Sequence, residues 1–259
     1  MRASAHTRGR KEALMRSFID VQYAKQEACK LDLFLPDTEN FPIIVFFHGG
    51  GMVSGSKKAH TQMGQRFAEL GYGFASVDYR LYPEAKYPDF VVDGANAVAF
   101  IKQRAKEYGG NGELFIGGNS AGAWLATMLC LNGEFLSAVG VDRMEIKGWA
   151  FDSAQMTAHF NILNKEKGLD TRLQRINEFA PLYFVDENLK FTRMLTFCYD
   201  DDLPTRPEQN ALFYKTVLYF NPEADITALK LPGGHCQGTT FVDDDGEYAF
   251  VKEFIKWVK

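Results

Sequence analysis

The 259-residue sequence predicts an α/β fold, with one mostly parallel central sheet of about eight strands flanked by helices. Two observations carry that prediction. Strand-like and helix-like segments alternate along the whole length, which requires crossover connections between parallel strands. The segment 42–47, Pro-Ile-Ile-Val-Phe-Phe, is continuously apolar, the pattern of a strand covered on both faces.

Each element has its own signal. Residues 18–24 and 29–35 alternate apolar and polar side chains, as half-buried antiparallel strands do, and Pro36-Asp37 ends the second. After the buried strand 42–47, a helix is expected over 59–70, closed by Gly71, and then a strand over 73–79. Residues 89–108 read as a long amphipathic helix with Val92, Ala95, Val98, Ala99 and Ile101 on its apolar side. A strand at 113–117 leads into a helix at 121–131, ended near Gly133. Strands follow at 146–151 and 193–199, separated by a stretch of mixed helical pattern. Pro207 suits the first turn of a helix over 207–220; the last strand is expected at 226–231 and the last helix at 247–258. The chain 1–259 reads as one domain, with a cap-like insertion at about 152–192.

Composition excludes several classes. Lys plus Arg is 29 and Asp plus Glu is 33, a net charge of −4 with no basic stripe, so no nucleic-acid partner is expected. The apolar fraction of 46%, with 22 Phe, 11 Tyr and 3 Trp, excludes a disordered chain. The longest apolar runs, such as 41–47, stop far short of the ~20 residues that span a bilayer, so no membrane partner is expected either. A chain of this length buries roughly 70–75% of its unfolded surface and needs no disulfide or metal staple. The cysteines at 29, 130, 198 and 236 form no C-x-x-C pair. They read as reduced, buried thiols, which fits a cytoplasmic location. The first eleven residues are basic and lack the apolar core of a signal peptide, although removal of a leader would leave the same start. They are expected to form a solvated tail running into a short helix at 10–16.

The strongest local signal is Gly118-Asn119-Ser120-Ala121-Gly122, a G-x-S-x-G pentapeptide between a predicted strand and a predicted helix. A sharp strand-to-helix turn there would project the Ser120 hydroxyl above the sheet, at the positive end of the following helix. A Gly/Ser loop with Ser120 as a helix cap is the plain structural alternative. Seventy residues upstream, His48-Gly49-Gly50-Gly51 follows the buried strand. Consecutive glycines let a backbone approach a substrate and turn its N–H groups toward one point, as an oxyanion hole requires. The same glycines could form a flexible turn or a phosphate loop, but Gly55-Ser56-Lys57 does not supply a Walker loop in order.

With these motifs, the chain resembles the α/β-hydrolase superfamily, specifically esterases of the bacterial hormone-sensitive-lipase type. The resemblance rests on His48-Gly49-Gly50-Gly51, on the run Val77-Asp78-Tyr79-Arg80-Leu81-Tyr82-Pro83-Glu84, on Gly118-Asn119-Ser120-Ala121-Gly122, and on their order and spacing. It covers the chain from about residue 18 onward. It implies Ser120 as nucleophile and the backbone N–H groups of Gly50, Gly51 and Ala121 as oxyanion hole. It makes Asp78 and Arg80 structural, as an ion pair or turn lock. Asn119 stands where this group usually has an acid, Met52 where an aromatic often follows the glycines, and no helical N-terminal cap is expected.

Of the five histidines, His6 lies in the tail, His48 in the glycine loop, His60 at a helix start and His159 in the insertion. His235, in the loop after the last strand, stands where the Ser…Asp…His order of the fold requires the base. Asp200, Asp201 and Asp202 follow the penultimate strand, and two of the three must be solvated, since clustered buried carboxylates repel. The family's spacing to a Glu-Gln pair, here Glu208-Gln209, implies Asp202 as the acid, with Asp201 as runner-up. Asp243-Asp244-Asp245-Gly246 lacks the ligands of a calcium loop, and neither a metal nor any other cofactor is expected.

The expected function is a serine carboxylesterase acting on short or small soluble esters, with a small-molecule ester as its only implied partner. A carbohydrate-ester esterase removing acetyl or feruloyl groups is the alternative. A formamidase, or a non-catalytic ligand-binding member of the fold, completes the set.

Overall fold

In the computed structural model, which describes residues 15–259, the strands are β1 (Met15–Gln22), β2 (Lys30–Pro36), β3 (Phe41–Phe47), β4 (Gly73–Val77), β5 (Gly110–Asn119), β6 (Gly148–Asp152), β7 (Met194–Asp201) and β8 (Ile226–Gly234). The helices are α1 (Thr61–Glu69), α2 (Asp89–Arg104), α3 (Ala121–Leu131), α4 (Glu134–Ser137), α5 (Phe160–Lys167), α6 (Arg206–Phe220), α7 (Gln237–Thr240) and α8 (Ala249–Val258). The strands make one sheet in the order β1-β2-β4-β3-β5-β6-β7-β8. Strand β2 runs antiparallel to β1 and β4; the pairs from β4 through β3 to β8 are all parallel. The mostly parallel eight-stranded sheet expected from the sequence is therefore present.

Side-chain alternation along the strands feeds two cores. On one face Ile43, Val45, Phe47, Leu114, Ile116, Trp149 and Phe151 pack under α2 and α3. On the other, Ile44, Phe46, Phe74, Phe115 and Phe197 meet Phe67 of α1 and Phe250, Phe254 and Trp257 of α8. Each fully buried large side chain contributes about 1.5–3 kcal/mol, so both faces hold the sheet rigidly. Close packing also dictates small residues: a Cβ on Gly122 would lie 2.1 Å from the Phe47 carbonyl oxygen.

Some elements differ from expectation. Residues 10–14 of the anticipated N-terminal helix lie outside the described residues, and residues 15 and 16 open β1, with Arg16 donating to the Tyr108 carbonyl at 3.1 Å. Strand β2 is buried on both faces rather than one, because its polar residue, Asp32, is neutralised by Lys57 Nζ at 2.7 Å. Val92 is exposed; the buried side of α2 runs through Phe90, Val91, Ala95, Val98 and Ile101. Strand β6 starts at Gly148 because residues 143–145 form a 3-10 turn, capped by the Asp142 carboxylate on Met144 N.

Within the segment 152–192, where a mixed helical pattern is expected, the regular elements are α5 and a 3-10 turn at Pro181–Phe184. Ile162, Leu163 and Phe179 are buried, whereas Leu169 and Ile176 are exposed, because 168–179 is a chain of turns without a helical stripe. Helix α5 is pinned at two points. Glu166 accepts from the Tyr82 hydroxyl and from Tyr87 N at 2.8 Å, and Asn161 Nδ2 donates to the Gly51 carbonyl at 2.6 Å. The four cysteines are free and buried, as expected.

Candidate active site

Parallel registry brings the carboxyl ends of the central strands to one edge. Phe47 pairs with Gly118, Asn119 with Asp152, Asp152 with Phe197, and Asp201 with Gly234. The residues that follow these ends are therefore neighbours: His48, Ser120, Ser153, Asp202 and His235. Crevices at the carboxyl edge are where open α/β sheets bind ligands.

Ser120 has φ 52° and ψ −116°, a strained conformation between β5 and α3. Only glycine fits on either side: a Cβ on Gly118 would lie 2.5 Å from Gly122 backbone atoms, and Gly122 abuts Phe47. The turn is held by Ser120 N donating to the Asp152 carbonyl at 2.8 Å and by Trp124 N donating to the Ser120 carbonyl at 2.9 Å. The plain cap alternative does not describe it, since the Ser120 side chain makes no capping bond to α3.

His235 Nε2 lies 2.8 Å from Ser120 Oγ, and its Nδ1 lies 2.5 Å from Asp202 Oδ1. An ionised carboxylate only accepts, so Nδ1 carries the proton toward Asp202 and Nε2 accepts from the serine hydroxyl. Asp202 also accepts from Ser153 Oγ at 2.7 Å and Leu203 N at 2.7 Å. Burial pushes its carboxyl up, but the hydrogen bonds from His235 and Ser153 outweigh it, and the net shift is downward. Asp200 instead pairs with Lys230 at 2.9 Å on the surface, and Asp201 is exposed at the end of β7. Of the three acids, Asp202 is the one brought to His235.

The glycine loop passes against the serine: a Cβ on Gly49 would sit 3.1 Å from Ser120 Cβ. Its carbonyls are all engaged elsewhere. His48 Nδ1 donates to the Gly49 carbonyl at 2.6 Å, and Val53 N and Ser54 N donate to that of Gly50 at 3.1 Å each. In a trans peptide the C=O and the next N–H point in opposite directions, so these bonds turn the Gly50 and Gly51 N–H groups the other way. Among the described residues neither N–H has an acceptor. The Ala121 N–H is a free donor in the first turn of α3 in the same sense. Gly50, Gly51, Ser120, Leu203 and His235 line a cleft of ≈ 470 Å³.

The other histidines among the described residues have separate work. His48 is buried against Tyr79, with ring centroids 4.5 Å apart, and burial pushes its pKa down, so the neutral ring serves as the donor to Gly49. His60 is buried, with a pKa lowered to about 4, and its Nε2 faces Asn119 Oδ1 at 3.2 Å. His159 is buried, with a pKa lowered to about 3, and caps α5 through Asn161 N. Asp78 and Arg80 do not pair with each other. Asp78 accepts from Lys57 N at 2.6 Å, and Arg80 grips Asp93 with two bonds of 2.8 Å, locking α2 to the loop after β4.

Sequence reading missed Ser153, Asn161 and Asp152. Asp152 is fully buried, accepts from Thr239 Oγ1 at 2.6 Å and has its carboxyl pushed up to about 6 by burial. The one available signal was position: Asp152-Ser153 ends a strand next to the strand that bears Ser120.

Residues 31–161 match the BD-FAE family model, about half of the chain. A probable isoprenylcysteine alpha-carbonyl methylesterase of Oryza sativa subsp. japonica is 32% identical over 145 residues, 55% of this chain and 33% of that protein. The chain spans about a third of the length of the curated relatives it matches. Among solved structures, esterase B from Lactobacillus Rhamnosis has a TM-score of 0.78 at 16% identity, covering 96% of this chain and 87% of that one. A truncated carbohydrate esterase from gut microbiota has a TM-score of 0.75 at 18% identity, covering 96% and 98%. The α/β-hydrolase fold implied by the sequence motifs is the fold of this chain.

Proposed function

The chain belongs to the BD-FAE family, and from that premise we propose that it is a serine esterase cleaving small carboxylic esters through an acyl-serine intermediate. One observation carries the reading: Ser120, His235 and Asp202 form an unbroken hydrogen-bonded line, 2.8 Å and then 2.5 Å, opening on a cleft with the glycine loop in its wall. Ser120 Oγ attacks the ester carbonyl as His235 Nε2 takes its proton; the imidazolium so formed is stabilised by ionised Asp202. The negative charge on the former carbonyl oxygen is met by the Gly50, Gly51 and Ala121 N–H groups, which need no reorganisation because their peptides are already held. His235 returns the proton to the leaving alcohol, and water then cleaves the acyl-serine by the same route in reverse.

The names of the relatives, a probable isoprenylcysteine alpha-carbonyl methylesterase among them, support ester hydrolysis. A second reading, removal of acyl groups from carbohydrates, draws on the Gln, Thr and Arg side chains that stand beside Phe160, Leu203 and Pro204 in the wall of a neighbouring cavity. The test of the primary reading is labelling with a fluorophosphonate followed by mass spectrometry. The adduct is expected on Ser120; an adduct on another residue, or none, removes Ser120 as nucleophile. Among the described residues no helix is long and apolar enough to cross a membrane, which fits access to esters from water.

A further inference from the structure

A second cavity of ≈ 420 Å³ adjoins the cleft, with Leu203 in the wall of both. Its lining includes Gln155, Thr171, Arg172, Gln174 and Arg206. Arg206, in the first turn of α6, is only 4% exposed. Its Nη1 donates to the Ser153 carbonyl, and its Nε is buried without any partner. No carboxylate lies within 4.0 Å of its guanidinium among the described residues: the salt bridges of the neighbourhood join other pairs, Arg172 to Asp170 and His235 to Asp202. Asp202, whose charge is the nearest counterweight, is committed to His235, Ser153 and Leu203 N.

A buried arginine is ordinarily paired, because desolvating an unpaired cation is costly. Here burial pushes the guanidinium pKa down, the direction expected when nothing nearby repays the desolvation in full. Arg172, an exposed side chain at the rim, is held through Nε and Nη2 by both oxygens of Asp170. A guanidinium buried in the cavity wall without an anion, with a second, Asp170-paired guanidinium at the rim, is matched by a carboxylate.

We propose that this cavity is a subsite for a carboxylate group carried by the ester substrate, held by Arg206 from within and by Arg172 at the rim. The proposal rests on the esterase reading of the neighbouring cleft and narrows its substrate to acidic esters. A substrate carboxylate would complete the Arg206 pairing and leave the scissile carbonyl on the Ser120 side of Leu203.

The direct test uses the full chain carrying Ser120→Ala, titrated with glutarate and, in parallel, with its neutral diamide. Glutarate is expected to bind saturably, to weaken with added salt, and to bind about 10- to 100-fold more tightly than the diamide, the range for one charge-assisted pair. Arg172→Ala, a surface change that leaves the core intact, should weaken glutarate several-fold and leave the diamide unchanged. A companion measurement on the active protein compares kcat/KM for an aryl monoester of glutaric acid with that of its neutral methyl ester. Arg206→Gln should lower the acidic-to-neutral ratio about 10- to 100-fold. Equal binding of glutarate and diamide overturns the proposal. So does an equal loss on both esters in Arg206→Gln, which would make Arg206 a brace for Ser153 alone. Glutarate binding together with no turnover of either ester would instead sink the esterase reading and leave the subsite standing.

Discussion

Ser153 Oγ donates to Asp202 Oδ2 at 2.7 Å, joining the ends of β6 and β7 directly behind His235. The same hydroxyl accepts from Cys236 N at 3.1 Å, so one serine ties together the acid and the loop that carries the base. Ser153 adopts φ 54°, a left-handed conformation that aims its side chain back at the sheet edge. Removing the hydroxyl should cost one charge-assisted bond on Asp202. Ser153→Ala is expected to lower kcat roughly tenfold with KM little changed, as loss of such a bond does. Steady-state kinetics on an aryl acetate reads the split; a KM effect with unchanged kcat would place Ser153 in binding instead.

Ser120→Ala should abolish ester hydrolysis and leave the fold intact. The Ser120 hydroxyl lines the cleft and packs against nothing that the fold needs. Activity and circular dichroism together decide this; appreciable turnover in the variant would put the nucleophile elsewhere.

Asp202→Asn should lower kcat by about four orders of magnitude, because the amide favours the wrong imidazole tautomer. Asp200→Asn and Asp201→Asn should stay near the parent, since one pairs with Lys230 at the surface and the other is exposed. A large loss in Asp201→Asn alone would shift the acid by one position.

Acid should destabilise the protein through its buried neutral histidines. His60 and His159 have pKa values lowered to about 4 and about 3, against 6.5 in the unfolded chain. Below pH 6.5 the unfolded chain binds protons that the folded one refuses, so this stability is complete above 6.5 and is lost as pH falls. Each histidine accounts for about 2 kcal/mol between pH 6.5 and 5. Asp152, pushed up to about 6, acts in the opposite sense and partly offsets the loss. His159→Asn keeps a cap for α5 without titrating, so its urea midpoint should fall less over that range than the parent's. A parallel fall in both would assign the acid sensitivity elsewhere. The same variant should keep most activity, whereas His235→Ala should be nearly inactive.

A p-nitrophenyl series from acetate to palmitate should peak at short chains, with no jump in rate when substrate forms an emulsion. An interfacial lid needs a broad apolar face that can swing away. Helix α5 is tied instead by Asn161 to Gly51 and by Glu166 to Tyr82 and Tyr87, and Leu169 and Ile176 are exposed in the turns that follow it. A maximum at long chains would mean that these ties release.

Local order was legible in the residues themselves. Continuous apolarity at Pro42 to Phe47 marked a strand covered on both faces, and the glycines around Ser120 marked a turn too tight for side chains; both signals are properties of neighbouring positions. His235 could be singled out because few histidines compete for one place in the chain order. Where the reading failed, distant partners decided. Strand β2 looked half-exposed until Lys57 arrived to neutralise Asp32, and Val92 left the core because α2 turned Val91 and Ala95 inward against the sheet. Among three consecutive aspartates, Asp202 is chosen through the spacing to Glu208-Gln209 that the resemblance implies and not through local pattern, since their side chains diverge only when β8 sets His235 beside the end of β7. Ser153 and the unpaired cation of Arg206 carry no motif at all. They acquire meaning from contacts between segments far apart in the chain, and only the folded sheet, by parallel registry of its strand ends, brings those segments together.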